Sequence, residues 1–106
     1  PVASFQNTKF VLAECSAEVE AIQQFVDHAL TLHNSGELSV PDAARAKLFA
    51  TDTAGRVIDK CLQLHGGYGY ITEFPIARLY ADTRVSRIYG GTNEVMKTII
   101  AKDLGL

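Results

Sequence analysis

Two glycine-centred segments hold the residue types best suited to gripping a sugar-phosphate or other anionic ligand: Gln63-Leu64-His65-Gly66-Gly67 and Tyr89-Gly90-Gly91-Thr92-Asn93-Glu94. A glycine pair has no side chains to hold a ligand away from the backbone, so its N–H groups can come within hydrogen-bond distance of a phosphate or ribose. Gln63 adds a side-chain amide beside the first pair. In the second segment Thr92 supplies a hydroxyl where a helical pattern begins, and the free amides and positive dipole end of a helix favour negative charge there. Without further context the plainer assignment is preferred, because glycine turns are common: Gly66 and Gly67 end a helix and Thr92 caps one. For Thr92 both roles can hold together.

Other chemistry finds little support. His28, His33 and His65 show no metal-ligand spacing and have no cysteines beside them, so no zinc site is expected. Neither Cys15 nor Cys61 has a histidine partner in a recognisable nucleophile arrangement. Arg78, Asp82, Arg84 and Arg87 lie between the two glycine segments. At such spacing charged residues usually form a solvated face, and their position favours structural ion pairs. Tyr68 and Tyr70 are expected to pack around the first glycine loop.

The elements that must position these segments are helical. From about Asn7 to His33, Val11, Cys15, Val19, Ile22, Phe25, Val26, Ala29 and Leu30 recur at three- and four-residue intervals, with Glu14, Glu18, Gln24, Asp27 and His28 opposite. Gly36 is a left-handed stop, and Ser39, Pro41 and Asp42 open a second helix that runs to about Leu64. Its Ala43, Ala44, Ala46, Ala50 and Gly55 allow a neighbouring helix to approach closely. Pro75 starts a short helix through about Asp82, and Thr92 or Asn93 caps a last one whose stripe is Val95, Met96, Ile99, Ile100 and Leu104. No segment alternates long enough to require a strand. The expected fold is all-α, with three substantial helices and a short one.

Composition sets the class. At 106 residues, 47% apolar and 21% charged, the chain fits one globular domain with one core. A net charge of −2 supplies no basic field for nucleic acid. No apolar run approaches the roughly 20 residues of a membrane span, and no charged leader opens the chain. Two distant cysteines within apolar helical patterns read better as buried free thiols than as a disulfide, although spacing leaves both open. The start at Pro1-Val2-Ala3, without methionine, suggests a fragment or a processed product.

From Cys61 to Glu94 the run CLQLHGGYGYITEFPIARLYADTRVSRIYGGTNE resembles the carboxyl-terminal signature of the flavin-dependent acyl-CoA dehydrogenases, and the resemblance extends from Gln6 to the end of the chain. It implies the carboxyl-terminal helical domain over residues 1–106, an antiparallel bundle missing its first helix, which would precede Pro1. It implies further that Gln6, Gln63, Leu64, His65, Gly66, Gly67, Thr92, Asn93 and Glu94 contact FAD. The Gln63–Gly67 stretch would meet the adenosine diphosphate half of an FAD bound mainly by a neighbouring subunit, and Thr92 and Glu94 the ribityl and diphosphate region. Tyr89, Gly90 and Gly91 would lie against the acyl-CoA substrate. In many such enzymes the residue before the final Gly-Thr pair is the catalytic glutamate, and here it is Gly90. That resembles the long-chain and isovaleryl branches, whose base comes from an earlier helix, so no catalytic residue is expected in this chain.

The resemblance thus implies a parent enzyme that dehydrogenates acyl-CoA thioesters and passes electrons to an electron-transferring flavoprotein. It also implies a homotetramer, in a bacterial cytoplasm or a mitochondrial matrix, and an isolated chain without activity. Two other classes stay open. One is a non-catalytic helical assembly module that keeps the signature for packing alone. The other is a related acyl-CoA or nitroalkane-type flavin oxidase that hands electrons to oxygen.

Overall fold

The computed structural model describes every residue from Pro1 to Leu106 and contains four α-helices: α1 (Gln6–Asn34), α2 (Val40–His65), α3 (Pro75–Arg84) and α4 (Asn93–Asp103). The long 3.6-residue periodicity becomes α1. It ends where Gly36 turns left-handed at φ 76° and the Glu37 N–H donates to the Leu32 carbonyl at 2.8 Å, which closes the helix and reverses the chain. Ser39 then caps α2, its Oγ accepting the Asp42 N–H at 3.2 Å, with Pro41 in the first turn. α2 returns antiparallel to α1. Phe25 stacks on Phe49 with ring centroids 5.6 Å apart, and Lys60 stands 3.7 Å from Glu18 and 4.0 Å from Glu14.

Both thiols are free, Cys15 buried and Cys61 half-buried. Burial, and then the neighbouring Cys61 thiol, push the Cys15 pKa above the ordinary thiol value, so Cys15 stays protonated.

α2 is the central element. α1, α3 and α4 each pack on it, whereas α1 makes no extensive contact with α3 or α4. At its end Gly66 takes φ 61° and the chain tightens into a 3-10 turn over Gly66–Tyr70. Gly69 in that turn is buried, and a Cβ there would stand 2.6 Å from the Leu62 carbonyl oxygen, so only glycine lets the turn close on α2.

Four expectations need correction. The last helix has 11 residues, because Gly105 at φ 81° ends it, which makes the bundle two long helices and two short ones. Tyr68 does pack, with its ring 5.3 Å from that of Phe74, but Tyr70 is 87% exposed because the tight turn points it away from the helices. Arg78, Asp82, Arg84 and Arg87 form no ion pair with any residue of the chain; Arg78 instead donates to the Thr72 carbonyl at 2.5 Å. Finally, Val19 and Leu30, members of the α1 apolar stripe, are exposed, because α2 alone covers only part of that stripe.

The chain therefore has more surface than its mass accounts for. It exposes 7234 Å², whereas a compact monomer of 11.5 kDa exposes about 5,800 Å². Its radius of gyration is 16.3 Å, against about 13 Å for a compact domain of this size. Only 8 of 106 residues are buried, and Phe5, Phe10, Leu12, Val19 and Leu30 on or beside α1 face outward. Apolar area of this extent promotes association. Sedimentation velocity of the purified chain is expected to show dimers or larger species; a monomer persisting at high concentration would refute this.

Candidate cofactor-binding edges

The Gly90–Glu94 segment is built from backbone first. Gly90 and Gly91 take φ 63° and φ 90°, a left-handed pair that only glycine adopts without strain. Thr92 caps α4, its Oγ1 accepting the Val95 N–H at 3.2 Å. The N–H groups of Gly90, Gly91 and Thr92 donate to no acceptor in the chain, and the first-turn amides of Asn93 and Glu94 have no intrahelical partner. Five consecutive donors thus line one turn. A Cβ placed on Gly90 would meet nothing within 4 Å, so the turn is open at that residue, whereas one on Gly91 would stand 2.8 Å from Met96 Cε, so the second glycine packs on α4.

Asn93 differs from its neighbours. It is 4% exposed, and its Nδ2 donates to Thr51 Oγ1 and to Asp52 Oδ1, both at 2.8 Å, while its Oδ1 accepts from Lys47 Nζ at 3.2 Å. Lys47 Nζ also donates to the Gly91 carbonyl. The side chain of Asn93 therefore faces α2 and fastens the turn there. Lys47, Thr51 and Asp52 were not singled out as functional in the sequence. The available signal was Lys47 and Thr51 four residues apart, one helical turn, among the small residues of α2.

At the far end of α2, the first segment presents an open edge. Gln63, His65, Gly66 and Gly67 are exposed, Leu64 is half-buried, and a Cβ on Gly66 or Gly67 would meet nothing within 4 Å. His65 Nδ1 is 2.8 Å from the Cys61 carbonyl, which orients the ring along the helix. The start of α1 lies at the same end: Thr8 and Leu12 share a largely apolar cavity of about 400 Å³ with Leu64, His65 and Tyr68, and exposed Gln6 sits at the first position of α1.

These two edges are not one pocket. Asp52, where the Gly90–Glu94 turn is fastened, and His65 are thirteen residues apart on one helix, about 20 Å at 1.5 Å per residue. Beside the Thr92 turn lies a polar groove of about 360 Å³ whose walls include Arg56, Arg84, Arg87, Lys97 and Glu94. Arg87 reaches it by laying its guanidinium 3.4 Å from the Cβ position of Gly55, so the small residue there admits a side chain and not a helix. Arg45, held by Asp103 at 2.6 Å and Asp42 at 2.9 Å, fixes the other end of α4, and those two carboxylates raise its pKa. No group of three or more His, Cys, Asp or Glu side chains is placed to hold a metal ion, and no helix is long and apolar enough to cross a membrane.

The fold is an all-α helical domain with two glycine edges separated along its central helix. The family described as "Acyl-CoA dehydrogenase, C-terminal domain" matches residues 1–105, and the chain belongs to it. It is 45% identical over 103 residues to the long-chain specific acyl-CoA dehydrogenase, mitochondrial, of Sus scrofa, covering 97% of this chain and 24% of that protein. It is 35% identical over 100 residues to a caffeyl-CoA reductase-Etf complex subunit of Acetobacterium woodii, covering 94% of this chain and 26% of the relative. Its backbone superimposes on a crystal structure of acyl-CoA dehydrogenase from Geobacillus kaustophilus with a TM-score of 0.94 and 47% identity, covering 98% of this chain and 27% of that one. The chain spans about a quarter of the length of these relatives.

Replacing Asn93 with alanine removes its three hydrogen bonds to the half-buried side chains of Lys47, Thr51 and Asp52. The expected loss is about 2 kcal/mol of unfolding free energy, measured by urea denaturation followed by far-ultraviolet circular dichroism. A loss below about 0.5 kcal/mol would show that the network contributes only what an exposed contact does.

Proposed function

We propose that this chain is the carboxyl-terminal domain of an FAD-dependent acyl-CoA dehydrogenase, to which it contributes two separate parts of the cofactor surface. The observation that carries the reading is the turn at Gly90–Glu94: five consecutive backbone donors, none used within the chain, with open space at Gly90. Such an array suits the hydroxyls and phosphates of a dinucleotide. The exposed amides of Gln6 and Gln63, with the open glycines Gly66 and Gly67, suit a second ribose-phosphate portion. About 20 Å of α2 separates the two edges, which supports an arrangement in which each serves a different FAD, one held largely by another subunit. The surplus apolar surface supports the same assembly, a homotetramer.

When bound, the flavin accepts the hydride that leaves the acyl chain. The chain's own residues bind and orient: Thr92 and Glu94 face the cofactor, Asn93 fixes the turn that carries them, and Tyr89, Gly90 and Gly91 border the acyl-CoA thioester. Gly90 offers no side chain as base, so the proton at the carbon beside the thioester carbonyl is removed by a carboxylate outside these 106 residues. An electron-transferring flavoprotein would be the redox partner of the full-length protein, a reading supported by the likeness to the Etf-complex subunit.

The test uses the full-length protein, assayed for acyl-CoA-dependent reduction of an artificial electron acceptor and for FAD affinity of the apoprotein. Thr92→Val is expected to weaken FAD binding about tenfold, the value of one lost hydrogen bond to a polar ligand. Full-length protein that neither binds FAD nor oxidises any acyl-CoA would overturn the reading. The isolated chain, holding only part of the cofactor surface, is expected to be colourless after dialysis, and stoichiometric flavin absorbance at that stage would show that the two edges alone form a complete site.

A further inference from the structure

We infer that Lys47 is a positioning residue that aims the Thr92 backbone N–H at the cofactor; the inference rests on the flavin-binding reading above. Lys47 lies in the second turn of α2, distant in sequence from both glycine segments. Its ammonium donates to the Gly91 carbonyl and to Asn93 Oδ1, the latter at 3.2 Å. The Gly91 carbonyl is thereby drawn toward α2. The chain has no cis peptide, and in a planar trans peptide the carbonyl and the following N–H point in opposite directions. Holding the Gly91 carbonyl against α2 therefore turns the Thr92 N–H away from it, and that N–H has no acceptor in the chain.

The peptide needs such a hold. Gly91 has positive φ and no side chain to restrict it, so without a hydrogen bond to its carbonyl the Gly91–Thr92 peptide plane is free to turn about Gly91. Neighbouring contacts do not fix it: Asn93 Nδ2 is used by Thr51 and Asp52, and Thr92 Oγ1 by Val95. Only Lys47 grips the carbonyl. A lysine suits this position because its flexible stem brings three donors to two acceptors on one side of the turn. The ammonium also offsets the nearby Asp52 carboxylate, which shares Asn93 with it.

The test compares Lys47→Met with Lys47→Arg, which keeps donors for both acceptors. In the chain itself, hydrogen exchange of the Val95 and Met96 amides, which close on Thr92, reports whether the turn is held. In full-length protein, FAD affinity of the apoprotein and the split between KM and kcat report whether the hold matters to the ligand. Lys47→Met is expected to speed exchange at Val95 and Met96 and to weaken FAD binding about tenfold with unchanged helicity, while Lys47→Arg restores affinity to within about threefold of the original. Lys47→Gln, which keeps a donor on a shorter stem, is expected to fall between them and decides the question should Lys47→Met lose its helicity. Unchanged exchange in the methionine variant overturns the hold. Faster exchange with unchanged FAD affinity overturns the link to the cofactor. Absence of FAD binding in the unsubstituted full-length protein removes the reading beneath the inference, and the exchange data distinguish that outcome from failure of the hold.

Discussion

The structure depends on how α2 meets the α4 cap. Three polar side chains of one helix, Lys47, Thr51 and Asp52, converge on one buried amide, Asn93, and on the carbonyl of Gly91. α2 and α4 need apolar contact to pack, yet a turn of two left-handed glycines cannot supply it. Apolar side chains such as buried Met96 supply it further along α4, and the polar network fixes the turn itself. Buried hydrogen bonds of this kind are demanding, because each unmet donor or acceptor costs about 1–3 kcal/mol, and for the same reason they select one geometry over its neighbours. α4, only 11 residues long, would be marginal as an isolated helix. Fastened by Asn93 at its start and by Arg45 to Asp103 at its end, it is fixed in both position and rotation.

That fastening leaves the backbone donors of the rest of the segment unused within the chain. The side chain of Asn93 is buried against α2, whereas Thr92 and Glu94 border the polar groove and the five amides from Gly90 to Glu94 have no acceptor in the chain. The same division recurs at the other end of α2. There buried Gly69 lets the chain fold tightly against the Leu62 carbonyl, while Gly66 and Gly67 stay open. In each segment one small or polar residue is used for packing and its neighbours are kept accessible. Sequence position alone does not distinguish the two uses.

This bears on what could be read from the sequence. Helix limits were legible to within one or two residues, since Ser39, Pro41, Gly36, Pro75 and Thr92 act locally through backbone geometry. The family was legible too, because the order of residues from Cys61 to Glu94 is long and specific. What escaped were relations between distant positions. Lys47 meets Gly91 across 44 residues of sequence, and no periodicity links them. The charges at Arg78, Asp82, Arg84 and Arg87 suggested ion pairs by proximity in sequence, but the turn after α3 directs Arg87 onto Gly55 instead. The separation of the two glycine edges also needed the structure, since it is set by the length of α2 between them.

The open surface of α1 and the open glycine edges are consequences of one constraint. A bundle in which a single central helix supports the other three cannot cover the far side of α1, which therefore remains largely exposed. With about 1,400 Å² more exposure than a compact monomer of its mass, the chain lacks much of the burial that offsets conformational entropy. Association would cover that surface. Stability would then depend on chain concentration, because association that buries the surplus apolar surface shifts the equilibrium toward the folded form.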